Sequence, residues 1–162
     1  MKKSTILLLV VVYILSFFVI GLLGASIKNY DPEIYPESVE LVEPDGRTTL
    51  TINPTDPDTG EKLYDYYFVY RNYSSGGVRI RAIVKPDNTT YPDVIFTKDE
   101  KNTNFTIEDS KTNKNIEKNY VLITPDQELI AKNETVPAKF TVIPENPGAA
   151  SKIKACVMFV PF

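Results

Sequence analysis

Hydrophobic and polar positions along the chain fall into two regimes. From Ser4 to Ile27 there is no charged residue, and Ile6 to Leu23 is an almost unbroken apolar run in which only Tyr13 and Ser16 carry hydroxyls. A helix rises about 1.5 Å per residue, so this run is long enough to cross a hydrocarbon layer of about 30 Å. Beyond it the period becomes two. Val39 and Leu41 flank Glu40, Leu50 and Ile52 alternate with Thr49 and Thr51, and the turn-forming Pro44-Asp45-Gly46 lies between them. That pattern predicts a hairpin or a first strand split in two. Val78, Ile80, Ala82 and Val84 oppose Arg79 and Arg81, as in a strand with one face in a core and one in water. Just upstream, Leu63 to Tyr73 places Tyr64, Tyr66, Phe68 and Tyr70 on one face and Leu63, Tyr67 and Val69 on the other, a composition that suits a strand. The intervening Ser74-Ser75-Gly76-Gly77 predicts that these two strands pair across a turn.

Short apolar or alternating runs follow at Val94–Phe96, Asn104–Ile107, Tyr120–Ile123, Lys139–Ile143 and Ile153–Val160, separated by Pro, Asn, Asp and Gly. No 3.6-residue stripe stands out after the first segment. The fold class predicted is all-β, an antiparallel β-sandwich preceded by a single N-terminal transmembrane helix. The last run is apolar on both faces in its second half, which predicts a central or covered strand, since an exposed edge of that kind invites aggregation. The expected divisions are a cytoplasmic tip and helix at 1–27, an extended stem at 28–36 containing Pro32 and Pro36, and the sandwich at 37–162. A chain of 162 residues suffices for one such domain.

Charge orients the chain. Lys2 and Lys3 precede the apolar run, while Asp31, Glu33 and Glu37 follow it against Lys28 alone. The positive-inside rule therefore places the N-terminus in the cytoplasm and the domain outside, on the cell membrane. Removing Lys2 and Lys3 from the 18 basic residues leaves 16 against 21 acids, a balance of -5. A domain of that charge has no basic footprint for nucleic acid and is not drawn as a whole to anionic lipid. A cleaved signal, giving a secreted soluble binding protein, is the competing reading, with Gly24 third from last and Ser26 last before the best cleavage point. The apolar run exceeds the roughly 7–15 residues of a signal core, which favours a retained anchor. The only Cys, Cys156, is far from this segment, so a lipoprotein anchor is excluded.

The stretch Ala82-Ile83-Val84-Lys85-Pro86-Asp87-Asn88-Thr89-Thr90, followed by Val94-x-Phe96-x-Lys98-Asp99, is similar to bacterial Ig-like domains of group 2. In that family a strand ends in a V-x-P-x-N-A-T turn and a V-x-W-x-S-x-D strand follows. Val39-x-Leu41 and Thr49-Leu50-Thr51-Ile52 look like its split first strand, so the resemblance runs from Glu37 to Val160. Phe96 stands where the family has Trp, a tyrosine-rich strand is inserted between Ile52 and Val78, and the family's G-x-A-T-I-T strand is reduced to Pro137-Ala138-Lys139-Phe140-Thr141-Val142. The resemblance implies an Ig-like sandwich serving as spacer, adhesin or docking module.

Candidate chemistry is sparse. With no His and one Cys, the chain cannot build a Ser-His-Asp or Cys-His nucleophile, a His zinc site, or an internal disulfide. Paired carboxylates could serve a glycosidase, but the sequence does not pair them, and the expectation is no enzyme and no cofactor. Asp56, Asp58 and Glu61 in Asp56-Pro57-Asp58-Thr59-Gly60-Glu61 are hard oxygen ligands that Ca²⁺ can use, against the plainer reading of a solvated turn. Tyr64, Tyr66, Tyr67 and Tyr70 are candidates for a recognition surface for a protein or glycan partner, because tyrosine offers large area at little entropic cost. Asn72, Asn88, Asn104 and Asn133 begin glycosylation sequons at predicted turns. Cys156, in an apolar run, reads as a buried inert thiol. Two roles fit: a membrane-anchored surface module for adhesion, spacing or binding, or an accessory subunit of a membrane complex. The latter is similar in layout to single-pass stator subunits of archaeal motility filaments. Ser16, Gly21 and Gly24 offer the helix a small-residue face for such packing.

Overall fold

The computed structural model describes residues 3–28, 32–50, 52–71, 76–98 and 101–161. The chain divides into two compact units, Met1–Glu33 and Ile34–Phe162. In the first, α1 runs without interruption from Lys3 to Lys28, 26 residues. It presents leucines, valines and phenylalanines all round rather than on one stripe. Its Ser4–Gly21 segment is long and apolar enough to cross a membrane. Ser16 Oγ donates to Val12 O at 2.9 Å, so its hydroxyl is satisfied within the helix.

The second unit contains β1 (Ser38–Val42), β2 (Thr48–Leu50), β3 (Tyr66–Arg71), β4 (Val78–Lys85), β5 (Val94–Lys98), β6 (Phe105–Asp109) and β7 (Tyr120–Pro125). A single helical turn, α2 (Gln127–Ala131), leads to β8 (Val136–Pro144) and β9 (Ile153–Val160). One sheet has the order β1-β4-β7-β6 and the other β2-β3-β9-β8-β5. Their inner faces share one core, in which Ile80, Phe105, Val121 and Ile123 from the first sheet meet Val136, Val142, Val157 and Phe159 from the second, all inaccessible to solvent. The alternation of β4 appears as predicted, with Val78, Ile80, Ala82 and Val84 buried and Arg79 and Arg81 exposed.

Several expectations are corrected. Leu63–Tyr73 does not pair with β4. β3 lies in the other sheet, antiparallel to β2 and parallel to β9, with Phe68 opposite Val157 and Tyr67 opposite Cys156. The second sheet is therefore mixed rather than antiparallel. The physical reason is that β3 buries both Phe68 and Val69, one on each face, and the two-sided apolar β9 gives it a matching neighbour. β9 is central, as its sequence predicts. The chain leaves for β4 through Gly77, where a Cβ would fall 2.5 Å from Ile123 O and 2.6 Å from Thr124 Oγ1. Only glycine permits this approach. Of the two alternatives for the first strand, the split holds: β1 pairs with β4 and β2 with β3. Ile52 is outside β2 and 94% exposed.

The stem is shorter than expected. Thr89 Oγ1 donates to Ile34 O at 2.8 Å, the Ile34 amide donates to Thr90 Oγ1 at 2.9 Å, and Glu37 N donates to Lys85 O at 2.8 Å. Pro36 is fully buried, and the Tyr35 ring lies 5.2 Å from that of Tyr91. Residues 34–36, expected in the stem, thus belong to the sandwich, which was expected to begin at Glu37. The α2 turn, absent from the sequence reading, is capped by Asp126, whose carboxylate accepts from Glu128 N at 2.7 Å. Five residues are too few to show a helical period.

Candidate recognition surface

The tyrosines expected to form one surface are divided between two. Tyr66 and Tyr70 point inward with Phe68 and pack against the core, Tyr70 meeting Phe159 edge-on at 5.6 Å. Tyr67 points outward on β3. Tyr64 joins it, because the chain bends at 63–65 before the strand begins and the alternation starts only at Tyr66. The two rings stack at 6.0 Å beside Cys156. Val69 and Cys156 are buried on this outer side, at 5% and 0% exposure, yet neither belongs to the shared core. They form a small second apolar cluster.

Burial sets the chemistry there. It raises the Cys156 thiol to about 11, against a weaker opposing pull from Lys139 and Tyr64, so the thiol is protonated and inert at neutral pH. Burial, and secondarily Cys156, also raises the Tyr64 and Tyr67 hydroxyls above the ordinary phenol value, while Lys139 pulls Tyr64 the other way.

Beside Tyr64 lies a groove of about 380 Å³ across β5, β8 and β9. The ladder places Thr97 opposite Thr141, and Thr141 opposite Lys154. Lys139 stands on the same side, two residues from Thr141, and Lys98 and Lys152 complete the rim, so four lysines and no carboxylate line it. Lys98 is committed elsewhere: its Nζ donates to Phe105 O at 2.6 Å and sits 5.0 Å from that ring. Lys139, Lys152 and Lys154 enter no ion pair among the described residues, unlike Lys85, Lys111 and Lys118, which pair with Asp87, Glu145 and Asp93. Asp65, next in the row, accepts the Lys154 backbone amide at 2.7 Å. Sequence reading missed this groove, because its lysines are spread over more than fifty positions and only strand register gathers them. The one available signal was the outward parity of Lys139 and Thr141 in β8.

The remaining candidates are separate from it. Asp56 Oδ1 accepts the amides of Asp58 and Thr59 at 2.8 and 3.1 Å, which holds its carboxyl below the ordinary value. The oxygen expected to face Ca²⁺ is thus turned onto its own loop. No group of three His, Cys, Asp or Glu side chains that could hold a metal occurs among the described residues, so Asp56, Asp58 and Glu61 are not gathered into a site. Asn88, Asn104 and Asn133 are exposed, at turns or bends, and Asn133 has φ 58° just after α2. Asn72 lies outside the described residues. Compared with protein-family models, with curated proteins and with solved structures, the chain gives no match to any of the three.

Proposed function

We propose that this protein is a single-pass membrane protein whose sandwich is an extracytoplasmic, Ig-like binding module without enzymatic activity. The observation that carries the reading is the joining of a helix long and apolar enough to cross a membrane to a compact sandwich through only residues 29–33. The charge difference across the helix supports an outward-facing domain. Strand order supports the Ig-like reading. β1-β4-β7-β6 corresponds to the A-B-E-D sheet of such domains and β9-β8-β5 to G-F-C, with the first strand divided between the sheets. A protonated Cys156 and the lack of any His favour contact over catalysis.

The test is protease treatment of intact cells stripped of outer barriers, together with native sizing after mild detergent extraction. Digestion of the domain from outside, with the protein in the membrane fraction, is the expected result. Protection until lysis refutes the topology, and recovery from the medium with an N-terminus near Ile27 refutes the anchor. A discrete large assembly in detergent would make the protein an accessory subunit instead. Ser16, satisfied by Val12 O, does not itself call for a partner helix.

A further inference from the structure

We propose that the lysine groove on the outer side of β5, β8 and β9 binds an acidic glycan, a saccharide chain bearing carboxylate or phosphate groups. This rests on the reading that the sandwich faces outward, where such chains are available to it.

The domain is acidic overall, yet this groove is lined by Lys98, Lys139, Lys152 and Lys154 with no carboxylate; none of the four forms an ion pair among the described residues, and the Lys98 ammonium is held by Phe105 O. Like charges held together raise the free energy of the fold, and a counter-charge that binds there relieves it. The other basic groups show the contrast. Arg79 shares its groove with Asp45 and Glu117, and Arg81 lies in one with Asp87 and Glu117, so those cations already have acids beside them.

The shape then selects among anions. An extended acidic peptide most readily docks by adding to a free strand edge, where backbone donors and acceptors are open. This groove lies instead over the face of β5, β8 and β9, where β8 is paired on both sides and β5, the edge strand, is reached on the side paired to β8. What it offers is side chains: the Thr97 and Thr141 hydroxyls, lysine ammoniums that act as point charges, and the Tyr64 ring at one end. Hydroxyls to bond sugar hydroxyls, cations to hold carboxylates or phosphates, and an aromatic ring against a pyranose face together fit a charged saccharide.

The experiment uses the full chain in a nonionic detergent, with a fluorescently labelled tetragalacturonate as probe and anisotropy as readout. Maltotetraose and hexaglutamate serve as neutral-sugar and acidic-peptide competitors, and a glycerol-phosphate oligomer distinguishes phosphate from carboxylate recognition. The result expected is saturable binding that weakens by about tenfold or more between about 50 and about 500 mM salt. K152E/K154E, at two exposed positions, weakens binding by about tenfold or more with an unchanged circular dichroism spectrum. Tyr64→Leu weakens the saccharide but leaves hexaglutamate competition unaltered. Tighter binding of the glycerol-phosphate oligomer assigns the phosphate form of the same proposal. Competition by hexaglutamate equal to the saccharide's, equal competition by maltotetraose, or no binding by the folded protein overturns it. None of these outcomes touches the anchored-module reading, which stands or falls on protease accessibility.

Discussion

The outer faces of the two sheets behave differently. On the four-stranded sheet, Arg79 and Arg81 of β4 stand in water and the pattern is one face dry, one face wet. On the five-stranded sheet, Val69 and Cys156 are as buried as core residues although they point away from the core, with Tyr64 and Tyr67 stacked beside them. The first sheet needs one apolar face. The second needs apolar residues on both sides of β3 and β9, and its lysines lie beyond that patch, toward β5. An evenly wet outer face is what folding of a two-layer domain requires; an outer face that is buried in one place and charged in another goes beyond that requirement.

The contrast can be broken most severely at Val69. Val69→Ser is expected to cost about 2–4 kcal/mol, since it leaves a cavity and a buried hydroxyl, whereas Arg79→Ser on the other outer face changes stability by no more than about 0.5 kcal/mol. Urea unfolding of the full chain in nonionic detergent, followed by far-UV circular dichroism, measures both. Equal small effects would show that the second cluster is not closed to water.

Alkaline pH sharpens the same contrast at somewhat smaller scale. The native thiol of Cys156 is raised from 9.0 to about 11, so the folded protein retains a proton that the unfolded chain releases. Its contribution is fully present below pH 9 and is lost as pH rises through about 11, up to about 2–3 kcal/mol. Tyr64 and Tyr67, also raised, add to the loss in the same direction above pH 10. Cys156→Val should flatten the decline between pH 9 and pH 10, where the thiol of the unfolded chain ionises ahead of its tyrosines; an unaltered curve would place its cause elsewhere.

The smallest effect belongs to the ring stack. Tyr67→Leu removes the 6.0 Å partner of Tyr64 and is expected to cost about 0.5–1.5 kcal/mol. The diagnostic readout is the rate of Cys156 alkylation in the native state, which should rise several-fold when the cover is thinned and stay near zero in the parent.

What could be read in advance follows this division of the sheets. β4 was legible because water on one face and core on the other write a period of two into the sequence. β9 was legible as central because both its faces are apolar. The partner of β3 was not, since a parallel pair carries no turn signal and the Gly76-Gly77 segment looks like a hairpin connection when it is a crossing between sheets. Tyr64 fell on the wrong face because a bend at 63–65 resets the alternation. Beyond the outward parity of Lys139 and Thr141, the lysine groove left no trace in the sequence, because Lys98, Lys139 and Lys154 become neighbours only through the β5-β8-β9 register, whereas Asp56 of the 56–61 loop, adjacent in sequence to its partners, serves its own turn.

The docking of residues 34–37 has a mechanical meaning. Tension applied from the N-terminal side reaches the sandwich at Ile34, not at β1. It must first part the bonds linking Ile34 to Thr89 and Thr90, draw Pro36 out of its buried seat, and break the Glu37–Lys85 bond before the β1–β4 ladder is loaded. Under a pull from that side, these contacts take the load before the sheet can be peeled from its first strand.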